Sequence, residues 1–286
     1  MSSGKHAAAV AANAAVYREE TTRNFIGGSP HLKYSSMRRL CSQLAAEVFA
    51  HARTHAEVPR VLDLGAGEGS ITSLLLELGA RVTAVDVSES QLDELVRKCR
   101  AFRDRLSVRK GEIGEALLGA ERYDIVVMSS VLHHIPDYMA TIRSAIEVLT
   151  PNGQFFSLQD PIRYDSLNAF VHWFSKFGYF SWRVFQGDLL GGLSRRLRRA
   201  RGIYLDDCPQ DNAEYHVTRN GVDQDQIVEY LAGRGFDCKL IVYFSAQAPP
   251  FQFFGSAVGI SNTFALIARR GDNLSANQVP ATEPGS

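Results

Sequence analysis

Two adjacent histidines, His133 and His134, stand in the stretch SSVLHHIPD (129–137), directly after an apolar run. Histidine has an unperturbed pKa of about 6.5, so either side chain could remove a proton from a hydroxyl, thiol or ammonium group near neutral pH. Neighbouring imidazoles can also ligate a metal, but no nearby Cys, His or carboxylate completes a ligand set, and we predict no metal site. The pair therefore indicates either acid–base chemistry or two ordinary loop residues.

A second stretch whose residue types could bind a ligand is VLDLGAGEGS (61–70). It joins a short apolar run to a helical one. Its glycines are Gly65, Gly67 and Gly69. They allow the backbone to pass close under a ligand. Asp86 ends the next apolar run, 21 residues after Gly65, where a carboxylate can hold both hydroxyls of a ribose. The glycine spacing departs from G-x-G-x-x-G, the dinucleotide-binding motif. Asp63 lies two residues before Gly65, and its negative charge suits a ligand bearing an ammonium group better than one bearing a pyrophosphate.

The elements that must position these residues alternate between short apolar runs and amphipathic helical stretches from about residue 58 to 160. This alternation predicts an α/β fold, doubly wound around a mostly parallel, Rossmann-like sheet of seven strands. It fails from 161 to about 220 and resumes with a helix near 223–233 and strands at 236–245 and 263–269. We predict a helical cover (1–57), a cofactor-binding core (58–160), an inserted lid (161–221), the rest of the core (222–271) and a disordered tail (272–286).

Composition excludes some classes of function. Basic and acidic residues both number 31, which argues against nucleic acid as the main partner. The four cysteines show no paired spacing, so we expect reduced thiols and a cytoplasmic protein. The alanine-rich start faintly resembles a secretory signal, but Asn13 interrupts it and a helix is the simpler interpretation.

The chain resembles the class I S-adenosylmethionine-dependent methyltransferases that act on small molecules, closely over 58–160 and loosely over the final strands. The resemblance implies that the glycine loop wraps the methionine portion, that Asp63 helps to hold its amino group and that Asp86 binds the ribose. Glu112 stands where an acid usually meets the adenine amine, although aspartate is commoner there and a solvated surface position is the alternative. The residues expected to bind S-adenosylmethionine, and its product S-adenosylhomocysteine, are Asp63, Gly65, Ala66, Gly67, Gly69, Asp86, Val87, Glu112, Ile113, Ser129 and Ser130.

In such a sheet, ligands bind beyond the carboxyl ends of the strands, where the histidine stretch would follow the fourth strand. Plant-type O-methyltransferases have a catalytic histidine in His-Asp-Trp-x-Asp. His133 matches its first residue and Asp137 its last, which favours His133 over His134 as a general base. The alternative is that His133 only packs under the cofactor.

The middle section is rich in aromatic residues, with FVHWFSKFGYFSWRVF at 170–185. We interpret it as a lid, with Trp173 and Phe177 as candidate contacts to an apolar acceptor; the alternative is that the rings only seat the lid. The resemblance adds Tyr17, Phe25, His31 and Tyr34 as residues that close over the site. LSRRLRRARG (193–202) indicates either a solvated helix face or a surface that binds an acidic carrier or an anionic membrane.

The sequence therefore predicts an enzyme that methylates a small or medium apolar or aromatic metabolite of secondary metabolism. Oxygen is the first choice of acceptor atom, with nitrogen and carbon left open. No Asn-Pro-Pro-Tyr-type motif follows the fourth strand, which argues against amino-methylation of nucleic-acid bases or glutamine. Two rivals are a methyltransferase-like enzyme that catalyses a cyclisation or decarboxylation, and a non-catalytic cofactor-binding partner. The sequence does not indicate an oligomeric state.

Overall fold

A computed structural model describes residues 30–119, 121–185 and 220–271. The strands are β1 (Arg60–Leu64), β2 (Arg81–Asp86), β3 (Leu106–Lys110), β4 (Tyr123–Ser129), β5 (Leu149–Pro161), β6 (Phe236–Tyr243) and β7 (Thr263–Arg270). The α-helices are α1 (Pro30–Lys33), α2 (Ser35–Arg53), α3 (Ser70–Leu78), α4 (Glu89–Lys98), α5 (Ile113–Ala116), α6 (Tyr138–Glu147), α7 (Ala169–Phe185), α8 (Gln224–Ala232) and α9 (Pro249–Val258). Three short 3-10 helices cover Arg100–Phe102, Leu132–His134 and Tyr164–Ser166.

All seven strands join one sheet in the order β3-β2-β1-β4-β5-β7-β6. The first five strands pair in parallel, whereas β7 runs antiparallel to both β5 and β6. The predicted doubly wound, mostly parallel sheet of seven strands is therefore confirmed.

Helices cover both faces of the sheet, which explains why the central strands are apolar on both sides. On one face, the first core joins Phe155 and Phe264 to α6 and α8. On the other, the second core joins Phe156 and Leu158 to α2 and α3. Helix α2 is thus part of the folded core. The buried side-chain amide of Gln154 donates from Nε2 to the backbone carbonyl of Val48 in this helix at 2.9 Å.

Because β6 lies two antiparallel pairings from β5, it runs parallel to the first five strands. The carboxyl ends of six strands and the start of β7 therefore meet at one margin of the sheet, which we call the carboxyl edge. The segments that leave this edge include the glycine loop after β1, Asp86 at the end of β2, Glu112 after β3, Ser130 after β4, Asp160 near the end of β5 and Gln247 after β6.

Two helices lie outside the alternating pattern. Helix α7 occupies part of the section predicted as a lid, and α9 stands between β6 and β7, where no helix was predicted. They meet through aromatic rings, and Phe174 of α7 contacts Phe251 and Phe254 of α9 at ring-centroid distances of 5.0 and 5.4 Å. None of the helices in the described ranges combines the length and apolar character that crossing a bilayer requires.

Candidate active site

The glycine loop adopts backbone conformations that other residues rarely take. Gly65, Gly67 and Gly69 have φ of 71°, 53° and 84°, all in the left-handed region. A Cβ on Gly65 would lie 2.5 Å from Val131 Cγ2, and one on Gly69 would lie 2.7 Å from Leu95 Cγ. The loop is therefore held tightly between the connection after β4 and helix α4.

Asp86 supports this loop from the end of β2. Its Oδ2 accepts a hydrogen bond from the Gly67 amide at 2.9 Å, and its Oδ1 accepts one from the Ser88 amide at 2.8 Å. Burial raises the pKa of Asp86, and these backbone donors oppose that rise. An ionised carboxylate has about four lone-pair sites, so Asp86 can still accept hydrogen bonds from a diol.

Asp63 lies beneath the loop and is 1% exposed. Its Oδ2 accepts a hydrogen bond from Thr72 Oγ1 at 2.6 Å, whereas Oδ1 has no hydrogen-bond partner among the described residues. Burial raises the pKa of Asp63 to about 6, against the lowering effect of Thr72 and with a smaller contribution from Asp86. A buried carboxylate oxygen without a donor fits a ligand that brings a cationic group, as the ammonium of S-adenosylmethionine would.

The remaining predicted cofactor residues lie on either side of the loop. Glu112 and Ile113 are half-buried at the start of α5, and the neighbouring Gly111 amide donates to the Asp86 carbonyl at 3.1 Å. Ala66, Val87, Ser129 and Ser130 are also half-buried along the carboxyl edge. Ser130 is a non-glycine residue at φ 58°, a costly conformation of the kind that clusters at functional sites.

His133 and His134 occupy the 3-10 helix after β4. His133 is buried, and its Nδ1 lies 2.7 Å from Oδ1 of Asp160 on β5. The same oxygen accepts the backbone amide of His133 at 3.2 Å. His134 is half-buried, with its ring centroid 3.9 Å from that of His133. The carboxylate thus contacts the histidine that the sequence favoured.

Asp160 and Thr72 were missed by the sequence reasoning. Asp160 had a signal, since it is an acid near the carboxyl end of the predicted strand QFFSLQD, where ligands bind. Thr72 had only a weak signal, a hydroxyl among the apolar positions of α3.

The predicted acceptor-binding residues are only partly described. Tyr17 and Phe25 lie outside the described residues, and His31 falls in α1 with its side chain outside them. The Tyr34 hydroxyl donates to the Gln247 carbonyl at 2.8 Å, at the carboxyl edge. Trp173 and Phe177 stack on each other at 5.3 Å, and Phe177 contacts Phe251 at 5.7 Å. Phe177 thus belongs to the aromatic packing of α7 on α9, whereas Trp173 stacks on it from the same helix and is largely exposed.

The remaining predictions concern the arginine-rich segment, the cysteines and metal binding. The arginine-rich segment 193–202 and Cys208 lie outside the described ranges, in which Cys41, Cys99 and Cys238 are free thiols. Within those ranges, no three His, Cys, Asp or Glu side chains cluster as metal ligands.

Comparison with known proteins points to one family. Residues 62–155 match the family model described as a methyltransferase domain. Over 98 residues, 34% of this chain, the sequence is 35% identical to the ubiquinone biosynthesis O-methyltransferase of Coxiella burnetii (strain Dugway 5J108-111), covering 41% of that protein. Over 113 residues, 38% of this chain, it is 34% identical to the protein of the same name from Xanthomonas campestris pv. campestris (strain B100), covering 46% of it.

A solved structure extends the likeness beyond this domain. Magnesium protoporphyrin IX methyltransferase from Synechocystis PCC 6803, solved with bound SAM, aligns over 92% of this chain and 97% of its own, with a TM-score of 0.54 and 15% sequence identity. At that identity the likeness establishes the fold. The sequence matches span less than half the length of the curated relatives.

Proposed function

We propose that this chain, whose residues 62–155 match a methyltransferase domain, transfers a methyl group from S-adenosylmethionine to a small or medium apolar or aromatic acceptor. Activity and acceptor are inferred from this chain's own residues, because the matched relatives are covered only in part.

The observation that carries the proposal is the meeting of three groups at one edge of the sheet. They are a glycine loop in left-handed conformations, the buried carboxylate of Asp63 beneath it with the half-buried one of Asp86 beside it, and a buried histidine paired with a third carboxylate. The first two groups suit a ligand that combines a cationic amino-acid end with a ribose. The third suits removal of a proton from an acceptor.

The proposed cofactor contacts follow the loop. Asp63 would accept a hydrogen bond from the ammonium group through its second oxygen, and Asp86 would accept from the ribose hydroxyls. Glu112 and Ile113 would meet the adenine, with Ser129 and Ser130 beside the methionine portion. When bound, S-adenosylmethionine supplies an electrophilic methyl carbon on a positively charged sulfur.

His133 is the proposed general base. One ring nitrogen would take the proton of an acceptor hydroxyl, and the electron pair of the O–H bond would stay on the oxygen. That oxygen would bond to the methyl carbon as the carbon–sulfur bond breaks, with its electron pair left on sulfur to give S-adenosylhomocysteine. A placed base of this kind contributes about 10²–10⁴-fold, and alignment of the two reacting atoms about 7–11 kcal/mol. Oxygen remains our first choice, in keeping with the O-methyltransferase names of the relatives in sequence.

The acceptor side of the proposal rests on aromatic surface. Trp173, Phe177 and Tyr34 would line the approach to the carboxyl edge, together with residues of 1–29 and 186–219 outside the described ranges. A cytoplasmic location and a secondary-metabolite acceptor remain predictions. So does a second partner class, an acidic carrier or anionic membrane surface, which rests on the sequence 193–202 alone.

Calorimetric titration with S-adenosylmethionine, S-adenosylhomocysteine and NAD tests the cofactor. We expect micromolar binding of the first two and none of NAD. Binding of NAD alone would refute the interpretation of the glycine loop.

A transfer assay with matched probes tests the acceptor atom. We expect methylation of para-octylphenol, none of its methyl ether, and less of para-octylaniline. Transfer to the aniline alone would move the reaction to nitrogen. Binding of S-adenosylmethionine without transfer to any probe would favour the non-catalytic alternative.

A further inference from the structure

Strand β5 contains an extra residue just before Asp160. Leu158 pairs with Ala265 of β7 and Asp160 pairs with the next residue, Phe264, so Gln159 and Asp160 together oppose a single position. Gln159 has φ 65°, in the left-handed region that glycine favours. This is a β-bulge, a feature that often lies beside active sites and redirects side chains.

The bulge changes the face that the end of the strand presents. Phe156 and Leu158 point into the second core, so alternation would send Asp160 and Ile162 the same way. Ile162 instead lies in the first core, as does Phe264, the partner of Asp160. Directly paired residues share a face of the sheet. The bulge therefore turns Asp160 toward the face that holds the 3-10 helix of His133.

Side chains at and just after the end of β6, the outermost strand of the sheet, fix the bulge. The Gln159 amide donates to the Tyr243 hydroxyl at 3.0 Å, and that hydroxyl lies 3.1 Å from Gln159 Oε1, where it can donate. Gln159 Nε2 also donates to Ser245 Oγ at 2.6 Å. Burial raises the pKa of Tyr243, so its hydroxyl keeps its proton and remains a donor. The strained conformation is thus held by several hydrogen bonds.

We propose that Asp160 is a positioning residue for His133 and that the left-handed bulge at Gln159 is what delivers it. Oδ1 of Asp160 already accepts the backbone amide of His133, so the ring nitrogen that faces the same oxygen must donate. The proton of a neutral His133 then sits on Nδ1, and Nε2 carries the lone pair. This inference deepens the proposed function, since the base requires that tautomer.

The tautomer of His133 can be measured directly, without a methyl acceptor. In the full chain labelled with ¹⁵N-histidine, nitrogen shifts at a pH where imidazole is neutral distinguish Nδ1–H from Nε2–H. The chain has eight histidines, and loss of one signal in His133→Gln assigns the signal of interest. We expect the Nδ1–H form in the wild type. In Asp160→Asn the amide can present its NH₂ group to the ring, so we expect at least half of His133 to convert to Nε2–H.

Two substitutions at one position separate the bulge from its side chain. Gln159→Gly and Gln159→Val both lose the hydrogen bonds of the Gln side chain, but only glycine accepts the left-handed backbone, and a β-branched residue resists it. We expect the Nδ1–H form to persist in Gln159→Gly and to be lost in Gln159→Val. Asp137→Asn, the same change on an exposed acid four residues from His133, should alter nothing.

Each outcome decides a separate point. An Nε2–H signal in the wild type, or a signal in Asp160→Asn identical to the wild type, would overturn the role of Asp160, and the first result needs no variant beyond the His133→Gln used for assignment. Identical behaviour of the two Gln159 variants would overturn the role of the bulge. A parallel titration with S-adenosylhomocysteine reports on the proposed function alone, and we expect its affinity to change less than about twofold in Asp160→Asn.

Discussion

Three carboxylates at the carboxyl edge have distinct surroundings. Asp86 accepts one backbone amide on each of its two oxygens, Asp160 accepts the amide of His133 and contacts its ring through a single oxygen, and Asp63 has one oxygen with no described partner. A carboxylate already supplied with donors serves best as a brace, whereas one that lacks a donor serves best as a receptor for a cation. The same residue type therefore supports different expectations at each position.

Asp86 should matter for binding more than for folding. Hydrogen bonds to a charged group contribute about 1.5–3 kcal/mol, so we expect Asp86→Ala to weaken S-adenosylhomocysteine about 10- to 150-fold by calorimetry. Asp93→Ala, which removes an exposed acid from α4, is the matched control and should bind normally. Unchanged affinity in Asp86→Ala would refute the ribose assignment.

Asp63 should impose a pH dependence on stability. Its pKa of about 6 in the folded protein exceeds the ordinary value of 3.8. The folded chain therefore holds a proton that the unfolded chain releases. The resulting stabilisation is fully present below about pH 3.8 and is lost as the pH rises through about 6. We expect Asp63→Asn to be more stable than the wild type, on the order of 1–3 kcal/mol, at about pH 7.5, with the advantage much reduced at about pH 4.

Thermal or urea denaturation of both proteins at the two pH values measures this difference. Saturating S-adenosylhomocysteine provides an internal check, because an ammonium donor at Asp63 would satisfy the carboxylate and cancel the advantage of the Asn variant. An advantage of equal size at both pH values would show that Asp63 does not titrate as described.

His133 and His134 are a natural pair for comparison, being adjacent and of one type. We expect His133→Gln to lower kcat for para-octylphenol by about 10²–10⁴-fold, with KM and the affinity for S-adenosylhomocysteine little changed. His134→Gln should lower kcat by less than about tenfold. Near-normal turnover in His133→Gln at neutral pH would leave alignment of the reactants as the whole source of rate.

At the scale of elements, the glycine loop matters through what it touches. Gly65 and Gly67 share a left-handed backbone but differ in space, since a Cβ on Gly67 would find its nearest neighbour, Gln91 Oε1, at 3.7 Å. We therefore expect Gly65→Ala to lower the melting temperature more than Gly67→Ala. Strain and overpacking together cost about 2–5 kcal/mol in the first case, and strain alone about 1–2 kcal/mol in the second.

Differential scanning calorimetry of the two variants measures this. Gly114→Ala, where no atom lies within 4 Å of the added Cβ, serves as a control for the substitution itself. Equal losses for Gly65→Ala and Gly67→Ala would mean that backbone strain alone accounts for the effect and that contact with Val131 does not matter.

The sequence predicted the alternating elements because each has its own period and boundary. The β1 run RVLDL ends at Gly65, and the apolar face of α3 ends before Gly79. Helix α9 was missed because PPFQFFGSAV presents aromatic residues without a clear polar face, although prolines in a first turn are compatible with a helix start. Asp160 was missed for a different reason. One left-handed residue, Gln159, turns Asp160 toward His133, and neither residue type nor alternation predicts that conformation.

At the scale of the whole molecule, residues 35–53 do not behave as a detachable cover. Five buried residues of α2 enter the second core, namely Cys41, Leu44, Ala45, Val48 and Ala52. Glu47 of the same helix forms ion pairs with Lys239 and Arg269 at 2.8 and 2.9 Å. Helix α2 thus connects early sequence to the last two strands.

Removal of residues 1–57 should therefore abolish cooperative folding. Loss of α2 would expose apolar side chains of β1, α3 and β5, including Val61, Leu75 and Phe156. Burial of one such side chain contributes about 1.5–3 kcal/mol, and the total stability of a domain is only about 5–15 kcal/mol. Circular dichroism during heating checks this, and a shortened chain that melts cooperatively and binds S-adenosylhomocysteine would contradict it.

The brace formed by Asp86 has a consequence for the thermodynamics of binding. Because its two oxygens hold the amides of Gly67 and Ser88, the loop geometry is fixed when the chain folds. The conformational entropy of ordering these residues is lost at that stage, not when a ligand arrives. Binding then restricts mainly the freedom of the ligand. The loop is a preorganised binding site, not a segment that folds when the ligand binds.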